Sequence, residues 1–344
     1  MKVNKGGKNL WLSWEHQRRN RTLSRVLDFE LCELVSDKRM LARYFELAFK
    51  TTSLLVKRKP DNLVCQNPSI VLVTLCILLR ICFKYTLTID CHNSGLYPKE
   101  GKSKALNYIF RKINSFADIV VVSNGNLKNK FNDYFETILV VPDPLPDRDS
   151  YYSTGDRVVN DERYWSYDTN LKFLFICSWA QDEPFHEVIE AFSDPRLSEI
   201  SCYITGRPGS ALTESRLPKN VKLTGFISDE DYFDLLCKSD AVIVLTRRDD
   251  CLTCGAYEAL AVGKTGILSD SEVMKKTFGP GYLYSKPLKD DILNNVLLLA
   301  HNIEFFYPEV RETKLKFNGN FLRNLENFED AIDRARGKNH EAHE

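Results

Sequence analysis

A short apolar run that ends in a charged loop and reopens as a helix constrains this chain most. Residues 240–270 read D-AVIVLT-RRDDCLTCG-AYEALAVGKTGILSD. The β-branched run Ala241–Thr246 predicts a buried strand, and Arg247–Thr253 a polar loop. Cys254–Val262 predicts a helix that stops at Gly263, and Thr265–Leu268 a second strand. A loop that leaves the carboxyl end of a parallel strand and opens a helix is where α/β sheets bind ligands. The N–H groups and positive dipole end of such a helix favour phosphate. Thr253 is a candidate cap, and Glu258 sits about one turn further in. A carboxylate there suits a pair of sugar hydroxyls.

Asp250 and Glu258 stand eight residues apart, and A-L-A-V-G-K follows. This pattern resembles the acid-x7-Glu and E-A-x-A-x-G-K-P signature of glycosyltransferase family 4. The resemblance implies an α/β chain of the GT-B fold, with two Rossmann-like doubly wound domains facing a cleft. It implies that Glu258 holds the ribose of a nucleotide-sugar donor and that Asp250 contacts the transferred sugar. Asp249 competes with Asp250 for that role, since one residue of loop irregularity exchanges them. The chain departs from the family in three places. Asp250 replaces the usual Glu, Cys251-Leu252-Thr253 replaces Gly-Phe-Gly, and Thr265 stands where Pro is commoner.

The 344 residues suit two domains of roughly 150 residues each. The expected division is 1–146 for an acceptor-binding domain, 147–170 for a linker and 171–318 for a donor-binding domain. A terminal helix and tail over 319–344 is expected to return to the first domain. Ten cysteines lie mostly in apolar runs (Cys65, Cys76, Cys82, Cys177, Cys202), which predicts buried free thiols in a reducing cytoplasm. Cys251 and Cys254 form one C-x-x-C, open to a redox or an incidental reading, with no second pair to complete a zinc site. Met1–Lys8 has no apolar core of a secretory leader, and Ile70–Phe83 is short and carries Arg80, so a buried helix is expected rather than a span.

Net charge is zero but unevenly placed. Residues 1–142 hold 23 Lys/Arg against 12 Asp/Glu, and the remainder holds the mirror-image excess of acid. The first half therefore faces something anionic. No helix-turn-helix, zinc-finger or RNA-binding signature points to nucleic acid. A phospholipid surface or a phosphate-bearing acceptor fits better. Arg39–Lys59 reads as a basic amphipathic helix, either packed on the sheet or lying on anionic lipid.

Along the first half, Asn9–Ser13 is an expected strand, the stretch from Trp14 a basic loop, and Thr22–Phe29 a helix. The loop resembles the family's W-x-x-H-x-R-[ST] pattern. His16, Arg18 and Arg19 are its candidates for gripping an acceptor or a donor phosphate. The strand Tyr85–Asp90 leads to His92, which resembles the family's strand-end histidine near the donor sugar. In the second half the family's basic pair after the first strand is missing, because Ser178–Pro184 carries no base. Arg247 and Arg248 are the candidates to replace it, and Gly206 with Arg207 marks a second close approach to nucleotide.

The function so implied is sugar transfer from a UDP- or GDP-linked donor to a glycan or lipid-linked acceptor, in polysaccharide or glycoconjugate biosynthesis. The resemblance implies retention at the anomeric carbon, catalysis without a metal and no resident cofactor. Catalytic roles fall to His92, Asp250 and Glu258, and donor binding to Gly206, Arg207, Arg247, Arg248, Thr253 and Glu258. A cytoplasmic protein, in peripheral contact with the membrane or free of it, is expected. Two other readings use the same fold: a non-catalytic partner subunit that binds nucleotide or glycan, and a sugar-nucleotide epimerase.

Overall fold

The computed structural model describes residues 8–67, 69–147, 171–209 and 217–341. They form two compact units, one from Met1–Pro144 with Asn320–Glu344 and one from Leu145–Gly319. Most of the linker expected over 147–170 lies outside the described residues.

The first unit alternates strand and helix: β1 (Asn9–Ser13), α1 (Arg18–Val26), β2 (Glu30–Glu33), α2 (Met40–Arg58), β3 (Asn62–Asn67), α3 (Ile70–Phe83), β4 (Thr86–Cys91), the short α4 (Asn93–Leu96), α5 (Lys104–Asn114), β5 (Ile119–Val122), α6 (Gly125–Phe131) and β6 (Ile138–Val140). Its sheet is wholly parallel, in the order β2-β1-β3-β4-β5-β6. Strands β3, β4 and β5 are buried along their whole length, as a sheet covered on both faces demands. Leu47 and Leu55 of α2 and Leu72, Val73 and Cys76 of α3 pack with Leu10, Leu63, Leu87 and Ile89 in one core. The side chains of Ser69, Ser103 and Asn124 accept from the first-turn N–H groups of α3, α5 and α6 and so fix where those helices begin.

The second unit runs β7 (Leu171–Phe175), α7 (Phe185–Phe192), β8 (Ile200–Thr205), β9 (Val221–Gly225), α8 (Asp229–Lys238), β10 (Ala241–Val244), α9 (Cys254–Val262), β11 (Gly266–Ser269), α10 (Glu272–Phe278), β12 (Tyr282–Ser285) and α11 (Lys289–Glu341). Its parallel sheet has the order β12-β11-β10-β7-β8-β9. Counted from β7, that is the doubly wound order 6-5-4-1-2-3, with the winding reversed between β7 and β10. In the first sheet the reversal falls between β1 and β3.

Several expectations change. The first helix begins at Arg18 and not at Thr22, so Arg18 and Arg19 are helical residues. β2 is an unexpected edge strand of four residues, two of them glutamates, which is how natural edges avoid further pairing. α3 is only partly buried, since Leu78 and Ile81 are exposed, and Cys82 beside them is exposed as well. None of the ten cysteines is in a disulfide. The terminal helix expected over 319–344 is the far part of a longer helical run, α11, which kinks at the non-helical dihedrals of Asn302 and carries Pro308.

The part of α11 beyond residue 320 belongs to the first unit and buries Phe328, Ala331 and Ile332. Truncating Phe328, which is 1% exposed, removes a ring from a close-packed site. Phe328→Ala is expected to lower the unfolding free energy by about 3–5 kcal/mol in urea denaturation.

Candidate functional site

In the second unit the two loops that flank the winding reversal are those after β7 and β10. α9 occupies the residues expected of it, and its first turn lies close against the sheet. A Cβ on Gly255 would meet the Ile176 and Val244 side chains at 3.0–3.1 Å, so a larger residue there would make those side chains give by a few tenths of an ångström. Residues 255–260 are all buried. A helix apolar all round belongs inside a domain, so its one carboxylate, Glu258, is a buried charge that needs partners.

Glu258 is 6% exposed. The Tyr232 hydroxyl of α8, an acidic, Ser228-capped helix, donates to its Oε2. Tyr232 has no local sequence signal, because it is 26 residues away and lies on another element. Thr253 holds the cap position by its backbone dihedrals, but its hydroxyl makes no capping bond and is buried without a hydrogen-bond partner. The expected side-chain cap is therefore absent. The Cys251 thiol is pushed up by burial, which makes it a poor nucleophile.

The arginines of the β10 loop are present but already paired. The Arg247 guanidinium lies 2.5 Å from the Glu187 carboxylate of α7, and burial of that carboxyl is outweighed by Arg247, which holds it low. Arg248 Nε lies 3.2 Å from Asp182, which also accepts from Thr246 Oγ1 at 2.8 Å. Both arginine side chains remain well exposed, so further N–H groups can face a ligand. Glu183 accepts from the backbone N–H groups of Ser178 and Ala180 at 2.9 and 3.0 Å and from the Ser178 hydroxyl. The loop after β7 thus wraps its own carboxylate where a basic pair was missing from the sequence. Sequence reading missed Asp182, Glu183 and Glu187, whose role depends on contacts some sixty residues away in two of the three cases.

Gly206 ends β8 with φ +82°, and Arg207 beside it is exposed. A Cβ on Gly206 would overlap the Cys177 carbonyl oxygen, and the Trp179 ring closes the other side. Trp179 takes a left-handed φ of +65° and donates its indole N–H to Thr205 O at 2.9 Å. The β7 and β8 loops are thereby locked together. A separate cavity of about 560 Å³, lined by Val262, Gly263, Glu304, Tyr307, Arg311 and Lys314, opens at the opposite end of α9.

In the first unit the residues after β1 and β4 converge on Asp90. Arg19, 8% exposed, donates to Asp90 through Nε and Nη2, to Asp143 at 2.7 Å and to Val141 O at 2.8 Å. Arg19 was expected to grip a ligand phosphate; its guanidinium is spent on these internal acceptors. His92 Nε2 lies 3.5 Å from Asp90 and 3.1 Å from Gln66 Nε2, with the ring partly exposed. Gln66 in turn accepts from Ser13 and Asn20. Burial works to raise the Asp90 carboxyl, but the charge of Arg19 and contact with His92 hold it below the usual carboxylate range. His16 is exposed and sits 2.8 Å from Glu33, which also takes Arg21. Arg18 is exposed at the helix start. The structure joins His92 with Arg19 through Asp90 and leaves His16 at the β2 edge.

Asp90→Asn leaves Arg19 buried with a weaker set of acceptors and is expected to cost about 3–5 kcal/mol of stability in urea unfolding. The depressed carboxyl contributes fully above its unfolded pKa of about 3.9, and the contribution is lost as pH falls below that value towards the folded one. The unfolding midpoint of the variant is therefore expected to vary less than the parent's on acidification below about pH 4.

No family model matches the sequence, and no curated protein does either. Solved structures do match. Anabaena HepE in complex with UDP and glucose aligns over 95% of this chain and 100% of its own, with TM-score 0.69 and 11% identity. A glycosyltransferase from Rickettsia africae aligns over 93% of this chain and 89% of its own, with TM-score 0.67 and 12% identity. A putative UDP-N-acetylglucosamine 2-epimerase from Listeria monocytogenes aligns over 89% of this chain and 91% of its own, with TM-score 0.64 and 13% identity. The fold is GT-B, with two Rossmann-like units.

Proposed function

We propose that the protein is a glycosyltransferase that takes a hexosyl group from a nucleoside-diphosphate sugar. The observation that carries the reading is Glu258, a carboxylate buried in the first turns of an otherwise apolar helix beside the winding reversal of the second sheet. A buried carboxylate needs hydrogen-bond donors, and ribose hydroxyls are donors of the kind its oxygens accept. UDP and glucose in the HepE structure support a donor of that class.

In this reading the second unit binds the donor. Glu258 takes the ribose, Asp250 or Asp249 the transferred sugar, and the α9 amino terminus with Arg247 and Arg248 the departing diphosphate. Gly206 and Arg207 border the nucleotide. The first unit binds a glycan or lipid-linked acceptor, with His16 and Arg18 as contacts and His92 as its residue for the reacting centre. Asp90, held by Arg19, orients His92. Family-4-like transfer with retention and without a metal, in polysaccharide or glycoconjugate biosynthesis, completes the proposal.

Nucleoside diphosphates test it. UDP or GDP at a hundred times its dissociation constant is expected to add about 2.7 kcal/mol of stability, read as a thermal shift, and Glu258→Gln to abolish that shift while the ligand-free melt stays near the parent's. His92→Ala is expected to keep the nucleotide shift and to lower turnover by about a hundredfold or more.

A second reading rests on the acidic partners of the β10 arginines: Asp182 and Glu187 neutralise the cations a diphosphate needs, and Glu183 fills the loop after β7. A non-catalytic subunit would show no turnover in the parent with any donor, and no nucleotide shift to lose. An epimerase would isomerise the donor without acceptor.

A further inference from the structure

We infer that the first unit docks on an anionic lipid bilayer through the outer faces of α2, α3 and α5. α2 leaves Leu41, Phe45, Phe49 and Val56 exposed, at 70, 77, 77 and 50%. At 100° per residue these four fall within a stripe about 80° wide. The inner face of the same helix is spoken for, because Leu47 and Leu55 are fully buried in the sheet core. α3 lies beside α2 and exposes Leu78 and Ile81, the latter at 79%. α5 lies beside α3 and exposes Tyr108 and Ile109. All three helices contribute to the same core on one side of the sheet, and each turns exposed apolar residues outward. A patch of this kind is bound by something.

Charge selects the occupant. Residues 38–59 contain seven Lys/Arg and a single acid, Glu46, which Lys38 and Lys50 already hold. Arg39 and Lys57 are exposed on the flank of the stripe. An apolar stripe bordered by cations lies in the interface of an anionic bilayer, with the rings among the acyl chains and the cations at the headgroups. A second copy of this chain would instead set two cationic margins against each other, which opposes pairing. Among the described residues no helix is long and apolar enough to cross a membrane, so contact would be confined to one surface.

Vesicle flotation of the full chain tests the assignment, and it needs no nucleotide, so its outcome is separate from donor binding by the second unit. The parent is expected to float with phosphatidylcholine vesicles containing roughly a third phosphatidylglycerol, and to float less as salt is raised. Phe45→Gln/Phe49→Gln, on exposed positions with an unchanged melt, is expected to cut partitioning at least about tenfold. Arg39→Gln/Lys57→Gln is expected to weaken it and to flatten its salt dependence. Phe45→Trp should blue-shift on addition of the anionic vesicles. The inference falls if the parent ignores anionic vesicles, if pure phosphatidylcholine serves equally well, or if the Phe45/Phe49 variant floats like the parent. A concentration-dependent dimer that Phe45→Gln/Phe49→Gln dissolves, without vesicle binding, would assign the face to a second copy.

Discussion

A parallel sheet cannot be left open to water on either side, and both units of this protein are built around that constraint. Each connection must cross over a face of its sheet, so helices cover both faces and the strands become continuous apolar runs. The winding can reverse only once in each sheet, between β1 and β3 and between β7 and β10. At each reversal the loops that leave the strands diverge and uncover a crevice. The candidate site residues after β1 and β10 follow from that geometry, whereas those at the β8 end and His92 after β4 lie one strand further along their sheets.

Charge buried beside those crevices is handled in two ways. In the first unit, one guanidinium is surrounded by two carboxylates and a carbonyl, and the pairing holds the β4 end in place beneath His92. Such a site tolerates no loss of a partner, because what remains is an uncompensated charge in a poor solvent. In the second unit the charges lie nearer the surface. The Arg247–Glu187 and Arg248–Asp182 pairs are partly exposed, so each is worth little by itself and can exchange partners at small cost. This difference separates a scaffold for His92 from a pair of cations still able to meet an anion. Glu258 lies between the two cases, buried and accepting from a neutral hydroxyl of α8.

Legibility in the sequence followed range. α9 was read to the residue because its start, apolar length and Gly263 stop are all local. β2 is not legible, since four residues with a glutamate at each end carry no strand period. Arg19 was read as a ligand contact because a basic residue after a strand suggests one; Asp90 and Asp143, 71 and 124 residues away, convert it to a structural ion pair. The same limit hid the acidic partners of Arg247 and Arg248, and Tyr232 beneath Glu258.

The sequence by itself determined the class of fold, the strand–loop–helix corner and the presence of an acid eight residues before Glu258, because hydrophobic period, turn residues and spacing are properties of neighbours along the chain. Only the tertiary structure decided which charges are free to meet a ligand and which are consumed by the protein, and which face of α2 is left uncovered. Those outcomes depend on where distant segments come to rest, and a side chain's chemistry is set by what packs against it.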